Sequence, residues 1–162
     1  DPLYVYVQND GVNRYDSLGL LTVHIWTYRG SKEAWGHASL TLEDNTHISW
    51  WPSGVRYSQM PLLPQVYTAD PNDPQTFQRD VQLEGQQPDV QIEIKCLDEK
   101  KIKNWWLGFK GTHKWQTLTQ NCSTTVGDAL KAGGARETGK FVWTPAFVEK
   151  YAREIKTMEG RK

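Results

Sequence analysis

Gly36-His37-Ala38-Ser39-Leu40-Thr41-Leu42-Glu43-Asp44-Asn45-Thr46-His47-Ile48-Ser49-Trp50-Trp51-Pro52 reads as two strands joined by a tight turn. Ala38, Leu40 and Leu42 alternate with His37, Ser39 and Thr41, so one face of the first strand is apolar and the other carries hydroxyls and an imidazole. Glu43-Asp44-Asn45 has the composition of a turn, and Pro52 stops the second strand. With a three-residue loop, Leu42 faces Thr46, Thr41 faces His47 and Ser39 faces Ser49. Ser49 then lies diagonally from His37 on one face. His47 shares that face but pairs about four residues along, roughly 13 Å from His37 at ~3.3 Å per residue. A two-residue turn would move both Ser49 and His47 to the opposite face.

Outward from this hairpin the pattern alternates between strands and helices. Leu21–Tyr28 alternates and is rich in β-formers, as is Val90–Lys95. Between the hairpin and Val90, Pro61, Pro64, Pro71, Pro74 and Pro88 stand among many Gln and Asp, and residues 61–89 read mostly as a long loop able to cover a site. Asp98–Phe109 has Ile102, Trp105, Trp106 and Phe109 at helical spacing. Cys122–Ala132 is a second helix ended by Gly133-Gly134, and a third begins at Thr144-Pro145 and presents Phe147, Val148, Tyr151, Ala152 and Ile155. The expected fold is α+β: a small antiparallel sheet packed against the helix that starts at Cys122, with two further helices.

Composition narrows the classes. The 162 residues are 38% hydrophobic, 23% charged and 12% aromatic, with eight Trp, which suits one domain with a real core. No apolar run approaches the roughly 18 residues of a membrane span, so no transmembrane segment is expected. Net charge is zero, yet residues 1–94 hold five Lys/Arg against 12 Asp/Glu and residues 95–162 hold 14 against seven. The two halves are expected to neutralise each other across one fold. Two cysteines, Cys96 and Cys122, make neither a disulfide framework nor a zinc site of the usual spacing. No metal or organic cofactor is indicated.

Asn121-Cys122-Ser123-Thr124-Thr125-Val126-Gly127-Asp128-Ala129-Leu130 is the best candidate for chemistry. A Cys at a helix start meets free N–H groups and a favourable dipole, which promote the reactive thiolate. A thiolate needs a proton partner, normally an imidazole held by a third polar group. Four histidines are available: His37 begins a strand and points away from its apolar face, where it can equally serve as a structural cap, while His24 and His113 read as structural or surface residues. On the His37 face the hairpin offers Ser49 as a third polar group, with His47 as the alternative. Cys96 reads as a small buried hydrophobe. Trp105 and Trp106 read as core. Trp50 and Trp51 are adjacent on a strand, so at least one can flank the site.

Two resemblances add to this reading. Asp1–Leu20, DPLYVYVQNDGVNRYDSLGL, resembles the segment "YxYVxNNPxxxxDPxGL" that closes the shell of Rhs-type polymorphic toxins, with Ser17 where that pattern has Pro. It implies that residues 1–20 are the end of an Rhs core, cut by the shell's aspartyl protease, and that residues 21–162 are a toxin domain. The Asp1 start agrees with a piece of a longer chain. Gly36-His37…Leu40…Leu42 and, much later, Asn121-Cys122…Ala129-Leu130 are similar to the "GHxxLxL" and "NCxxxxxxAL" motifs of circularly permuted papain-like hydrolases. That group includes the permuted NlpC/P60, lecithin–retinol acyltransferase-like and PPPDE proteins. The resemblance implies Cys122 as nucleophile, His37 as general base, and a permuted papain-like sheet. Matched strand for strand, the third polar residue falls on Ser49. Gln116 stands six residues before Cys122, the spacing of the oxyanion-hole Gln of papain-like proteases, although backbone N–H groups can serve alone.

The expectation is therefore an antibacterial effector that cleaves or transfers an acyl group through a thioester at Cys122. As protease, amidase, deamidase or acyltransferase it would act on a protein, peptide or lipid after delivery into a target cell, in its cytoplasm more than its periplasm. The Rhs resemblance implies two partners, the shell as carrier and a cognate immunity protein. The alternatives are a nuclease toxin using His37, His47 or His113 with the basic half, and a non-catalytic binding domain whose Cys122 is inert. Nucleic acid is not an expected partner of the first reading.

Overall fold

The computed structural model describes residues 19–30, 36–52, 66–67, 75–116, 119–139 and 143–159. Residues 1–18, which carry the Rhs-shell resemblance, and most of the Pro- and Gln-rich stretch before residue 75 lie outside them. The chain runs β1 (Leu21–Trp26), β2 (His37–Thr41), β3 (His47–Ile48), β4 (Val66–Tyr67), α1 (Phe77–Glu84), β5 (Val90–Ile94), α2 (Glu99–Lys110), β6 (Trp115–Gln116), α3 (Cys122–Ala132) and α4 (Pro145–Glu159). The α+β expectation holds. A four-stranded antiparallel sheet has the order β3-β2-β1-β5, and β4 and β6 form a separate two-stranded ladder.

The hairpin has the three-residue loop. Leu42 N–H donates to Thr46 O at 2.9 Å, Asn45 takes a left-handed φ of 64°, and Thr41 pairs with His47. Asn tolerates that conformation better than most residues, and Asp44 Oδ1 accepts from Thr46 N–H. The register places Leu40 opposite Ile48.

This alternation splits the sheet into two chemically distinct faces. Leu21, Val23, Ile25, Ala38, Leu40, Ile48, Ile92 and Ile94 are buried in one core with Ile102, Trp106, Val126, Leu130, Val148 and Ile155 from α2, α3 and α4. Each such aliphatic side chain is worth about 1.5–3 kcal/mol when fully buried. The opposite face carries His24, His37, Ser39, Thr41, His47, Ser49 and Trp51. It is covered by α1, whose Phe77 ring lies 4.6 Å from that of His24.

Helix α1 corrects the loop expected over residues 61–89. Thr76 caps it by accepting from Arg79 N–H, and Gly85 ends it at φ 71°. Its exit is tied to β1: Trp26 Nε1–H donates to Gln86 O at 2.9 Å, and Asp89 Oδ2 accepts from Thr27 N–H at 2.7 Å. The other helices follow their sequence signals closely. Asp98 caps α2, Asn121 caps α3, and Pro145 opens α4.

Gly36 immediately precedes His37 and has φ 84°, with the space of a Cβ lying 2.7 Å from Trp26 O and 3.2 Å from Pro145 Cγ. Strain from the left-handed conformation adds to a backbone collision that no rotamer relieves. Gly36→Ala is expected to lower stability by about 2–4 kcal/mol, read as a lower urea midpoint. A midpoint equal to wild type would show that the strand start tolerates a side chain.

Candidate active site

Two elements bring the candidate residues together. His37 opens β2, and α3 packs against β2 so that its first residue, Cys122, meets the start of that strand. The capping side chain of Asn121 accepts from Thr124 N–H at 2.9 Å, and Asn121 O accepts from Thr125 N–H at 3.0 Å. These bonds fix the helix entry and leave the N–H groups of Cys122 and Ser123 at its open end. Cys122 keeps partial exposure.

The thiol lies 3.9 Å from the Ser123 hydroxyl and within electrostatic reach of His37 and the Ala38 backbone N–H. Burial raises its pKa, but His37, the Ala38 N–H and the Ser123 hydroxyl overcome it and hold the thiol below its ordinary range. Burial likewise opposes charge on His37, yet the Asp80 carboxylate and the Cys122 thiolate raise its pKa well above the usual imidazole value. The geometry therefore favours a thiolate–imidazolium pair.

Behind His37 stands a carboxylate that the sequence reading did not single out. His37 Nε2–H donates to Ser49 Oγ at 2.9 Å, and the Ser49 hydroxyl donates to Asp80 Oδ1 at 2.7 Å. His37 Nε2 also lies 3.4 Å from Asp80 Oδ2. With Nε2 engaged, Nδ1 is the ring nitrogen left for the thiol. Trp51 stacks on the His37 ring at 4.0 Å and 20°, and its Nε1–H donates to Asp80 Oδ1 at 2.8 Å. Asp80 is 1% exposed. Burial works against its charge, but His37 and the hydrogen bonds of His37 and His47 hold it ionised, far below the ordinary carboxylate range.

Ser49 thus sits where the hairpin register put it. His47 is not isolated by its position along the strand, because its Nε2–H donates to Asp80 Oδ2 at 2.7 Å. The 13 Å spacing concerned backbone positions at ~3.3 Å per residue, whereas α1 delivers one carboxylate that both rings reach. His24, read as structural or surface, is 5% exposed and joins the same face, where its Nε2 meets Thr41 Oγ1 at 2.8 Å. Burial first, then His47, lowers its pKa from 6.5 to about 4.

Gln116 Oε1 accepts from the Thr119 hydroxyl at 2.6 Å, and the Gln116 backbone pairs with that of Gln120, two residues before Cys122. The N–H groups at the start of α3 are a second source of donors for an oxyanion formed on a carbonyl at Cys122. His113 is exposed and stacks on Phe109 at 4.2 Å. Trp50 belongs to the core, 4.9 Å from Phe109, while its neighbour Trp51 flanks the site. Cys96 packs partly buried against the core.

Among the described residues, no group of three or more His, Cys, Asp and Glu side chains is spaced to hold a metal ion, and no helix is long and apolar enough to cross a membrane.

No curated protein and no solved structure matches the chain. The family model of the IcsB middle domain matches residues 65–160, which include Asp80 and Cys122 and begin after His37 and Ser49. That match spans more than half of the sequence, and the chain belongs to the IcsB middle-domain family.

Proposed function

We propose that the domain is a cysteine acyl-transfer enzyme with Cys122 as nucleophile, His37 as acid and base, and Asp80, directly and through Ser49, as the group that orients and charges His37. The observation that carries this reading is the unbroken line from Asp80 through Ser49 to His37, ending on a thiol at a helix start. Such a line has the elements of nucleophilic catalysis: an activated sulfur, an imidazole in one tautomer and a buried anion behind it.

In the reaction, the Cys122 thiolate attacks the carbonyl carbon of an ester, thioester or amide. The carbonyl π electrons move to oxygen, which the α3 N–H groups stabilise. His37 gives its Nδ1 proton to the leaving group as the bond to that group breaks, leaving a thioester on Cys122. Neutral His37 then takes a proton from the acceptor, water for hydrolysis or an amine or hydroxyl for transfer, as the acceptor's oxygen or nitrogen bonds to the thioester carbon; the C–S bond then breaks and the thiolate departs. The ion pair is restored.

The permuted papain-like arrangement and the role as cargo of an Rhs-type toxin belong to the same proposal. They are supported by the order of His37 before Cys122, the hairpin that carries His37 and Ser49, and the sequence of residues 1–20. The test is growth of bacteria expressing the 162-residue chain as wild type, Cys122→Ala and His37→Ala, in the cytoplasm and separately in the periplasm. Wild type is expected to stop growth in one compartment, and both variants, folded and equally abundant, to be harmless. Variants as toxic as wild type would overturn the acyl-transfer reading, and loss of cellular DNA or RNA with them would point to a nuclease.

A further inference from the structure

Beyond the line from Cys122 to Asp80, the polar sheet face holds two buried imidazoles, His24 and His47, with the half-buried Thr41 between them and the exposed Gln91 at the end, none of which the mechanism above uses. Gln91 Nε2 lies 3.1 Å from His24 Nδ1, His24 Nε2 lies 2.8 Å from Thr41 Oγ1, and Thr41 Oγ1 lies 2.8 Å from His47 Nδ1. His47 Nε2 lies 2.7 Å from Asp80 Oδ2. With one hydrogen on each imidazole, the direction of every bond follows from the two ends. An amide nitrogen only donates, so His24 Nδ1 accepts from Gln91 and His24 carries its hydrogen on Nε2. Thr41 Oγ1 accepts that hydrogen and spends its own on His47 Nδ1. His47 therefore carries its hydrogen on Nε2 and gives it to Asp80. At the other end a carboxylate only accepts, which requires the same direction. The low pKa of His24, about 4, agrees with a neutral ring in the chain.

We propose that Gln91, His24, Thr41 and His47 form a positioning arm that fixes the His47 tautomer and so holds Asp80 for His37. This inference rests on the acyl-transfer reading and deepens it. Asp80 Oδ2 is the oxygen shared between His47, at 2.7 Å, and His37, at 3.4 Å. The hydrogen on His47 Nε2 anchors that oxygen from the side away from His37 and so fixes the carboxylate that His37 meets. Thr41 is the control point, because its hydroxyl, donated to His47 Nδ1, keeps the ring hydrogen on Nε2. Without the hydroxyl, His47 can shift its hydrogen to Nδ1 and turn a lone pair towards Oδ2. That change weakens the hold of Asp80 on His37, and with it the Cys122 thiolate. The titratable groups facing His47 are His24 on β1, His37 on β2 and Asp80 on α1. Glu84, one turn beyond Asp80, acts on His37 and Asp80 through its charge.

The test uses the full chain as wild type, Thr41→Val and Thr41→Ser. Valine keeps the shape and β-preference of threonine without the hydroxyl, whereas serine keeps the hydroxyl. The readouts are the pH midpoint of Cys122 alkylation by iodoacetamide and the imidazole ¹⁵N shifts, which report the protonated nitrogen of each ring. Thr41→Val is expected to raise the midpoint by about one pH unit and to lose the Nε2–H signature of His47. Thr41→Ser should keep both. An activated wild-type thiol with an unshifted Thr41→Val midpoint would overturn the arm alone. A wild-type thiol that titrates at the ordinary value, with Nε2–H signatures intact, would overturn the acyl-transfer reading and this role with it.

Discussion

Replacing Asp80 with asparagine is expected to cost both activity and stability. Asp80 is buried and accepts from Ser49, Trp51 and His47 at 2.7–2.8 Å, with His37 at 3.4 Å. All of these are donors. An asparagine must point its NH₂ at some of them, whichever way it is turned, and its neutral oxygen cannot balance an imidazolium. Removing one partner from a buried charge pair costs about 3–5 kcal/mol, and a domain of this size loses roughly 2–4 °C in Tm per kcal/mol. The pH dependence carries a definite sign. The folded-state pKa of Asp80 is depressed, so its contribution is present above the unfolded carboxylate value of about 4 and is lost as pH falls below it. In Asp80→Asn that acid-dependent part of the stability should disappear. Activity should fall about 10²–10⁴-fold, because His37 loses both its orientation and its charge partner. Thermal melts across pH and the toxicity assay read these effects. A variant with wild-type melts and toxicity would remove Asp80 from the account.

His37→Ala is the second large effect. The imidazole is 1% exposed, stacked beneath Trp51 and 5.6 Å from the ring of Trp26, so its loss leaves a cavity and takes one of two hydrogen-bond partners from Ser49. That costs roughly 2–4 kcal/mol, which a domain of ordinary stability survives. The chemical effect is larger. With the imidazolium gone, only the Ala38 N–H and the Ser123 hydroxyl still oppose the effect of burial on the thiol, and Cys122 should titrate near the ordinary ~8.5. No group then protonates the departing fragment, and acyl transfer is expected to fall about 10³–10⁴-fold. Asp80→Asn should shift the thiol in the same direction by less, since His37 would still be present.

Much of the site can be read in the sequence, for identifiable reasons. Asn45 in the hairpin loop is a residue that tolerates positive φ, and this fixes the register that sets Ser49 diagonal to His37. Asn121 before Cys122 and Gly133-Gly134 after Ala132 are cap residues, so both ends of α3 are legible. Asp80 is not, because hydrophobic periodicity reports helices that bury apolar faces. Helix α1 buries a carboxylate against a polar sheet face, and its only fully buried residue is Asp80. The surviving signal is the pair of caps, Thr76 and Gly85, that bracket eight residues within a Pro- and Gln-rich stretch. The alternation of His37, Ser39 and Thr41 with apolar neighbours marks a polar face correctly, but alternation alone looks the same whether that face meets water or a helix. This is why His24 reads as peripheral and is found buried.

The most direct test of the account is the rate of Cys122 alkylation by iodoacetamide between pH 4 and pH 10, followed by intact mass, in wild type with His37→Ala alongside. The thiol pKa is lowered and that of His37 raised, so the ion pair forms at lower pH than an ordinary thiol would ionise. The wild-type rate is expected to rise at clearly lower pH than that of His37→Ala, which should react appreciably only near or above pH 8.5. A wild-type profile that coincides with His37→Ala, with both rising near pH 8.5, would contradict an activated thiolate and with it the acyl-transfer function.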